Sequence, residues 1–150
     1  MDLFGLLPIF GGRYRGQGLD EASAPYLAAL ELRPILGGRL WLAELVAVRE
    51  VVGGTTEEVV IFSPDDRGQV VASWSRSEHP SLRALPCRAV EMNPEGGMDF
   101  VFAAPNDPQT ELRLGLIPGG RLHWGCRLAR PEGPAWGRQL HLDREPLEAP

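Results

Sequence analysis

The sequence contains no lysine, and all 15 of its basic residues are arginines. A GC-rich codon bias explains this absence more simply than any function does. Against 20 acidic residues the formal net charge is -5 at pH 7. An acidic chain has no electrostatic attraction for phosphate backbones, so nucleic acid is not an expected partner.

Cysteine is also scarce, and the two cysteines, Cys87 and Cys126, show no CxxC spacing. This argues against a disulfide framework and against a zinc site. Long hydrophobic runs are missing as well, since no segment approaches the roughly 18 apolar residues of a membrane span. The opening "MDLFGLLPIF" carries Asp2, no basic residue and no cleavage site, so we expect no signal peptide and a cytoplasmic protein.

Recognisable catalytic motifs are lacking too: the sequence has no GxSxG, HExxH, P-loop or DxDxDG pattern. The three histidines lie far apart, and no pair of titratable residues has a spacing typical of an acid and a base. The sequence therefore favours binding over catalysis and predicts no metal site.

Turn signals, by contrast, are abundant and recur about every ten residues, with strand-like segments between them. The clearest alternation is Leu122, Trp124, Cys126 and Leu128 against a polar face. Ten strands are predicted in one domain spanning residues 1–150: 11–18, 26–36, 38–51, 56–63, 68–76, 84–92, 97–104, 110–117, 121–129 and 135–144.

One segment gives conflicting signals. Residues 20–33, "DEASAPYLAALELR", have helix-forming composition, yet apolar residues alternate from Tyr26 onwards. We interpret 26–36 as a strand that forms a hairpin with the next strand across Gly37-Gly38. A helical part within 20–33 stays open.

Sequential strands joined by short loops favour an up-and-down order, and closing the sheet removes its exposed edges. The predicted fold is all-β: an antiparallel up-and-down β-barrel of about ten strands with a short N-terminal helical plug. A barrel of this size is expected to enclose a cavity.

The first predicted strand carries the motif Gly12, Tyr14 and Gly16, which resembles the Gly-x-aromatic-x-Gly signature of the calycins, the superfamily of lipocalins and fatty-acid-binding proteins. Tyr14 stands where those proteins usually have tryptophan. The stretch "LPIFGGRYRGQG" is similar to the start of the nitrobindins, with Gln17 in place of their glutamate. "ELRPILGGRLWLAEL" resembles the second and third strands of bacterial calycin-like proteins.

The resemblance implies that an arginine of the last strand, Arg138 or Arg144, covers Tyr14 at one end of the barrel by a cation–π contact. Independently of any family, glycines beside Tyr14 allow close backbone approach and bending of this strand. The glycine-rich stretch is therefore predicted to be structural, and not a phosphate-binding loop.

Arg76 shares an alternation with Val70, Ala72 and Trp74, which makes it the candidate inward-facing arginine. Fatty-acid-binding proteins hold a carboxylate with such an arginine, so the resemblance implies a ligand contact. Glu44 shares a face with Leu40 and Val46; if that face looks inward, a carboxylate lies in an apolar cavity. The alternative is an ordinary Glu44–arginine pair. The remaining predicted ligand contacts are aromatic: Trp41, Trp74, Phe100, Phe102 and Trp124.

The sequence thus predicts binding of a small hydrophobic or amphipathic molecule inside the barrel, with no cofactor. One alternative follows from the nitrobindin resemblance: His141-Leu142 matches the dipeptide of a haem ligand, which would make haem b the cofactor, although alternation turns His141 outward. The other alternative is a structural or interaction protein with a filled barrel. A homodimer is left open.

Overall fold

Ten strands follow one short helix in the computed structural model, which describes residues 2–130, 132–133 and 135–146. Their bounds are α1 Leu3–Phe10, β1 Gly12–Asp20, β2 Pro25–Ile35, β3 Leu40–Arg49, β4 Thr55–Pro64, β5 Val70–Arg76, β6 His79–Met92, β7 Met98–Ala104, β8 Asp107–Ile117, β9 Arg121–Leu128 and β10 Trp136–Arg144. No helix among these residues is long and apolar enough to cross a membrane.

The strands form one closed antiparallel barrel in sequence order. Each strand pairs with its neighbours along the chain, and β1 closes the barrel against β10 with Gly16 opposite Leu142. The predicted all-β up-and-down barrel with an N-terminal helix is therefore confirmed. β6 is longer than predicted: it begins at His79 and not near residue 84, because its first residues already pair with the end of β5.

The segment with conflicting signals is a strand from Pro25 to Ile35. Tyr26, Leu30 and Leu32 turn inward and are almost fully buried, and Leu30 pairs with Leu45 of β3. Cross-strand pairing and burial of the inward side chains outweigh a weak local preference for helix.

The glycines of β1 serve close contact with β10. A Cβ atom placed on Gly16 would collide with the carbonyl oxygen of His141, and one on Gly18 would collide with that of Gln139. Only glycine lets the two backbones come this close. The predicted structural role of the stretch is thus confirmed at these two positions.

Helix α1 closes one end of the barrel. Leu3, Leu7 and Phe10 are buried in the core, and the Tyr14 hydroxyl donates to the carbonyl oxygen of Phe10 at 2.6 Å. The Arg144 guanidinium carbon lies 5.5 Å from the centre of the Tyr14 ring, and its Nη2 donates to the hydroxyl at 3.0 Å. Arg144, and not Arg138, therefore covers Tyr14.

The middle of the barrel is packed with side chains. Phe62, Phe102 and Trp124 are each at most 1% exposed, and the Phe62 and Phe102 rings lie 5.6 Å apart between centres. The prediction of a cavity along the interior is wrong for this middle layer, because large aromatic residues from β4, β7 and β9 fill it. Space remains at the end opposite α1.

Candidate functional site

A cavity of about 630 Å³ lies at the end of the barrel opposite the helix. It is bounded by the ends of β3, β5 and β9, by the starts of β2, β4, β6 and β10, and by the adjoining loops. Its wall includes Tyr26, Arg49, Trp74, Arg76, Glu78 and Trp136. This volume is in the usual range for small-molecule sites, about 300–1,000 Å³.

A buried ion pair lies beneath the cavity. Glu58 of β4 and Arg138 of β10 are each 1% exposed, and Arg138 Nη2 donates to Glu58 Oε2. The other oxygen, Glu58 Oε1, accepts a hydrogen bond from Trp74 Nε1 at 3.0 Å. Both carboxylate oxygens are therefore satisfied, as a charge buried this deeply requires.

Aromatic rings and guanidinium groups alternate from this floor to the cavity wall. The Arg76 guanidinium carbon lies 6.0 Å from the centre of the Trp74 ring and 5.0 Å from that of Trp136. The Arg138 guanidinium carbon lies 5.6 Å from Trp136 and 5.5 Å from Tyr26. Trp136 contacts both guanidinium groups, so it fixes their positions relative to each other.

Several N–H groups of the arginines in the wall and floor of the cavity have no hydrogen-bond partner within the described part of the chain. They are Arg49 Nε, Arg76 Nε, and Nε and Nη1 of Arg138, all of which are buried atoms. An unpaired buried donor is costly, about 1–3 kcal/mol or more for a charged group. Donors of this kind at a cavity wall are available to a hydrogen-bond acceptor, and best to an anion.

The guanidinium of Arg76 has a partner at one nitrogen and, in the described part of the chain, none at another. Its Nη2 lies 3.1 Å from Oε2 of Glu78, while its Nε is free of partners among the described residues. The second oxygen, Glu78 Oε1, accepts from the Thr56 hydroxyl at 2.8 Å. Arg76 itself is only 7% exposed, whereas the Glu78 side chain is 52% exposed.

The other arginines of the rim differ from Arg76. Arg83 lies 3.8 Å from a carboxylate oxygen of Asp107, and Arg130 lies 3.4 Å from one of Glu21. These side chains are about half exposed, so water screens their charges. Their charges are also paired with carboxylates, so neither arginine offers the buried donor, unpartnered among the described residues, that Arg76 does.

Burial and charge act together on titratable groups near the site. Burial alone would lower the pKa of Arg138, but Glu58 and neighbouring groups outweigh it and raise that pKa. Burial, with Glu58 nearby, raises the pKa of the Cys126 thiol to about 12. Cys126 is therefore a protonated, unreactive thiol at neutral pH.

Asp20 and Tyr26 mark the edge of the site. Burial tends to raise the pKa of Asp20, but hydrogen bonds from the backbone N–H groups of Ala24 and Ala22 outweigh it and lower that pKa. The Tyr26 hydroxyl donates to Asp20 at 3.2 Å, and burial together with Asp20 raises its pKa. The ring of Tyr26 is thus held in the cavity wall as a neutral phenol.

Two of the residues predicted from the sequence lie together in this cavity, namely Arg76 and Trp74. Phe100, Phe102 and Trp124 face inward but belong to the packed layer below it. Trp41 is also buried, and it lies at the helix end of the barrel, against Gly11. Four of the six inward-facing side chains predicted from the sequence therefore belong to the core and not to the cavity wall.

Glu44 is on the outer surface of the barrel. Its neighbours Ala43 and Leu45 face inward, and its side chain is 51% exposed and accepts a hydrogen bond from Arg33 at 3.1 Å. The prediction that places Glu44 in the interior is therefore wrong, and the alternative of an ordinary arginine pair is confirmed. The interior face of β3 takes small residues, Ala43 and Ala47, because the packed barrel has little room there.

His141 also lies on the outer surface, as its alternation predicts. It is paired across β9 and β10 with His123, and the two rings lie 4.3 Å apart between centres. It contributes nothing to the cavity wall. Within the described residues, no three side chains of the histidine, cysteine, aspartate and glutamate types are arranged to hold a metal ion.

Glu58, Arg138 and Trp136 were missed as site residues by the sequence reasoning. The signal was present for Arg138, which alternates with Leu140 and Leu142, but not for Glu58, because both faces of β4 carry apolar residues. A charged residue on an otherwise apolar face of a strand predicts a buried, paired charge. Trp136 had no such signal, because it lies at the start of its strand.

The fold and this site define a closed ten-stranded barrel with one end plugged by a helix and an arginine- and tryptophan-lined cavity at the other. In comparisons with known proteins, no protein-family model and no curated protein matches the chain.

Proposed function

We propose that this barrel binds a small amphipathic molecule with an acidic end group in the cavity opposite the helix. The observation that carries the proposal is Arg76, whose charged side chain is buried in the cavity wall with its Nε–H unpartnered among the described residues. A carboxylate or related oxyanion satisfies such a donor with a charge-assisted hydrogen bond.

The cavity wall suits the rest of such a ligand. Tyr26, Trp74 and Trp136 supply aromatic surface next to the arginine, and Leu128 adds an aliphatic side chain. Because the middle of the barrel is filled, the ligand occupies the entrance layer and does not run the length of the barrel. A few placed polar groups among apolar walls are typical of small-molecule sites.

The proposal agrees with the calycin resemblance, which implies a ligand held at an arginine. The closed antiparallel barrel and the N-terminal helix packed beneath Tyr14 support that resemblance. Haem binding through His141 would place the cofactor on the outer surface and away from the cavity, so the acidic ligand is the better-supported proposal.

The test is a calorimetric titration of the protein with sodium decanoate, a simple amphipathic acid. Arg76→Leu removes the proposed anchor, and we expect decanoate to bind about ten- to a hundred-fold more weakly, as for loss of a charge-assisted hydrogen bond. The matched control is Arg67→Leu, which removes the same charge from an exposed residue in the β4–β5 loop, at the helix end.

Circular dichroism and a melting curve establish that each variant is folded. Ser81→Trp provides a second route, because Ser81 is an exposed residue of the cavity rim whose enlargement narrows the cavity without touching the buried ion pair. Unchanged decanoate binding in both Arg76→Leu and Ser81→Trp would overturn the proposal. Equal loss in Arg67→Leu would overturn it as well.

A second candidate is a structural or interaction protein, which the filled middle of the barrel favours. Its surface would be the outer face of β2 and β3, where Leu27, Val46 and Val48 are 38–49% exposed. A homodimer through that face is part of the same candidate. Failure of the wild-type protein to bind any amphipathic acid would favour this second function.

A further inference from the structure

Glu78 contacts Arg76 at the place where a ligand's acid group would bind. One edge of a guanidinium carries Nε–H and one Nη–H side by side, and this edge takes a carboxylate through two parallel hydrogen bonds. On Arg76, Glu78 binds at Nη2 alone, at 3.1 Å, and Nε remains unpartnered. The protein's own carboxylate thus half-fills the proposed anchor.

We propose that Glu78 is an internal substitute for the ligand's acid group, which the ligand displaces from Arg76 when it binds. This inference rests on the proposed function of the cavity. It makes Glu78 a competitor for the anchor: an anion must displace the carboxylate from Arg76 in order to bind there, whereas a neutral end group leaves the Glu78–Arg76 ion pair in place.

The packing around Arg76 restricts the approach to this edge. The guanidinium lies over the rings of Trp74 and Trp136, at 6.0 and 5.0 Å. A ligand therefore reaches Arg76 through its N–H edge and not by stacking on its face. Since Glu78 already occupies part of that edge, a bidentate contact between the ligand and Arg76 requires that Glu78 move.

The surroundings of Glu78 permit that movement at low cost. It follows the last residue of β5 by two positions, and its side chain is 52% exposed. Its two oxygens have different partners, since Oε1 accepts from Thr56 and Oε2 faces Arg76. Rotation away from Arg76 can keep the Thr56 contact, and the displaced carboxylate can reach water because Glu78 is about half exposed, while the incoming anion replaces it at the buried Arg76.

The experiment compares Glu78→Gln with the wild-type protein, using decanoate and the neutral decan-1-ol as probes. Glutamine keeps the size and can still accept from Thr56, but it no longer competes as an anion. We expect decanoate to bind Glu78→Gln about three- to ten-fold more tightly than wild type, and decan-1-ol to bind both equally within about two-fold.

Glu57→Gln is the control variant. It removes the same charge from an exposed position on the outer face of β4, one residue from the buried Glu58. Its decanoate affinity is expected to equal that of wild type. An equal gain in Glu57→Gln and Glu78→Gln would overturn the inference, because it would show a general effect of net charge.

Failure of this inference can be told apart from failure of the proposed function. If decanoate binds the wild-type protein at Arg76 but Glu78→Gln leaves its affinity unchanged, the displacement of Glu78 is overturned and the ligand site stands. If neither probe binds wild type or Glu78→Gln, the proposed function itself is overturned. Tighter binding of both probes to Glu78→Gln by the same factor would also overturn the inference, because the gain would then not depend on the acid group that Glu78 is proposed to mimic.

Discussion

Glu58 and Arg138 bring two formal charges into the core, with no exposed surface on either side chain. Such a pair loses its hydration on folding, and its mutual attraction offsets that cost only when the remaining polar atoms are also satisfied. Glu58 is fully satisfied through Trp74, whereas Arg138 keeps two unpartnered nitrogens among the residues described. The pair therefore contributes less to stability than to the placement of Trp74 and Arg138 under the cavity.

Removing one member of the pair is expected to be far worse than removing both. Glu58→Gln leaves the Arg138 charge buried without a carboxylate, and we expect the free energy of unfolding to fall by about 3–5 kcal/mol. The double variant Glu58→Leu/Arg138→Leu removes both charges, and we expect it to lose much less stability than the sum of the losses in Glu58→Leu and Arg138→Leu. Urea unfolding followed by tryptophan fluorescence measures all of these free energies.

The opposite result would change the account of the site floor. If Glu58→Gln costs less than about 1 kcal/mol, the ion pair is solvated in solution and not buried. A double variant as unstable as the sum of its parts would show that the two side chains act independently.

Glu44 and Glu58 show how far the burial of a charged residue can be predicted from its sequence neighbours. Both alternate with apolar residues, yet Glu44 is outside and Glu58 is inside. On β3 both faces are apolar, so alternation alone does not decide which face is buried. On β4 the two faces are equally apolar in the sequence, because Val60 and Phe62 on one face are matched by Val59 and Ile61 on the other, so alternation does not identify Glu58 either.

Strands β1 and β10 form the seam that closes the barrel, and glycine sets how closely they approach. Gly16 and Gly18 leave room for the carbonyl oxygens of His141 and Gln139. The seam also places Arg138 and Arg144 near opposite ends of β10, where one reaches the cavity floor and the other the helix plug. A side chain on the glycines would therefore disturb both ends.

Gly16→Ala is expected to lower the free energy of unfolding by about 1–3 kcal/mol, because its methyl group must push the β10 backbone away. Gly5→Ala is the control of opposite sign. Gly5 lies within α1 with no other atom within 4 Å of an added Cβ, so alanine should leave stability unchanged or raise it by up to about 1 kcal/mol.

Thermal unfolding by circular dichroism distinguishes the two variants directly. A Gly16→Ala protein as stable as wild type would mean that the seam is looser than the close approach of β1 and β10 indicates. A strongly destabilised Gly5→Ala would contradict the open surroundings of that residue in α1.

Element positions could be predicted well from the sequence, since turn residues and alternation are local signals. The exact pairing of the strands could not be predicted in this way. The pairing of β5 with β6 shifts register between Trp74 and Arg76, so Arg76 lies at an irregularity beside the cavity. Such bulges redirect a side chain next to a site, and they depend on partner strands far along the chain.

At the scale of the whole molecule, the barrel has three layers along its axis. Helix α1 and Tyr14 close one end, aromatic and aliphatic side chains fill the middle, and the cavity with Arg76 and Trp136 opens at the other end. The closed barrel followed from strand order in the sequence. The filled middle did not, because it depends on the summed volume of side chains from all strands.

The four tryptophans report on these layers separately, which makes their indole N–H signals the most direct test of where a ligand binds. Trp74 and Trp136 line the cavity, Trp124 lies in the packed middle, and Trp41 lies at the helix end. We would record ¹H–¹⁵N correlation spectra during a titration with decanoate, with each signal assigned by a tryptophan-to-phenylalanine variant. The account predicts that the signals of Trp74 and Trp136 shift together and saturate, while those of Trp41 and Trp124 stay in place. Shifts centred on Trp41 or Trp124, or no shift at any of the four, would contradict a ligand site at the open end of the barrel.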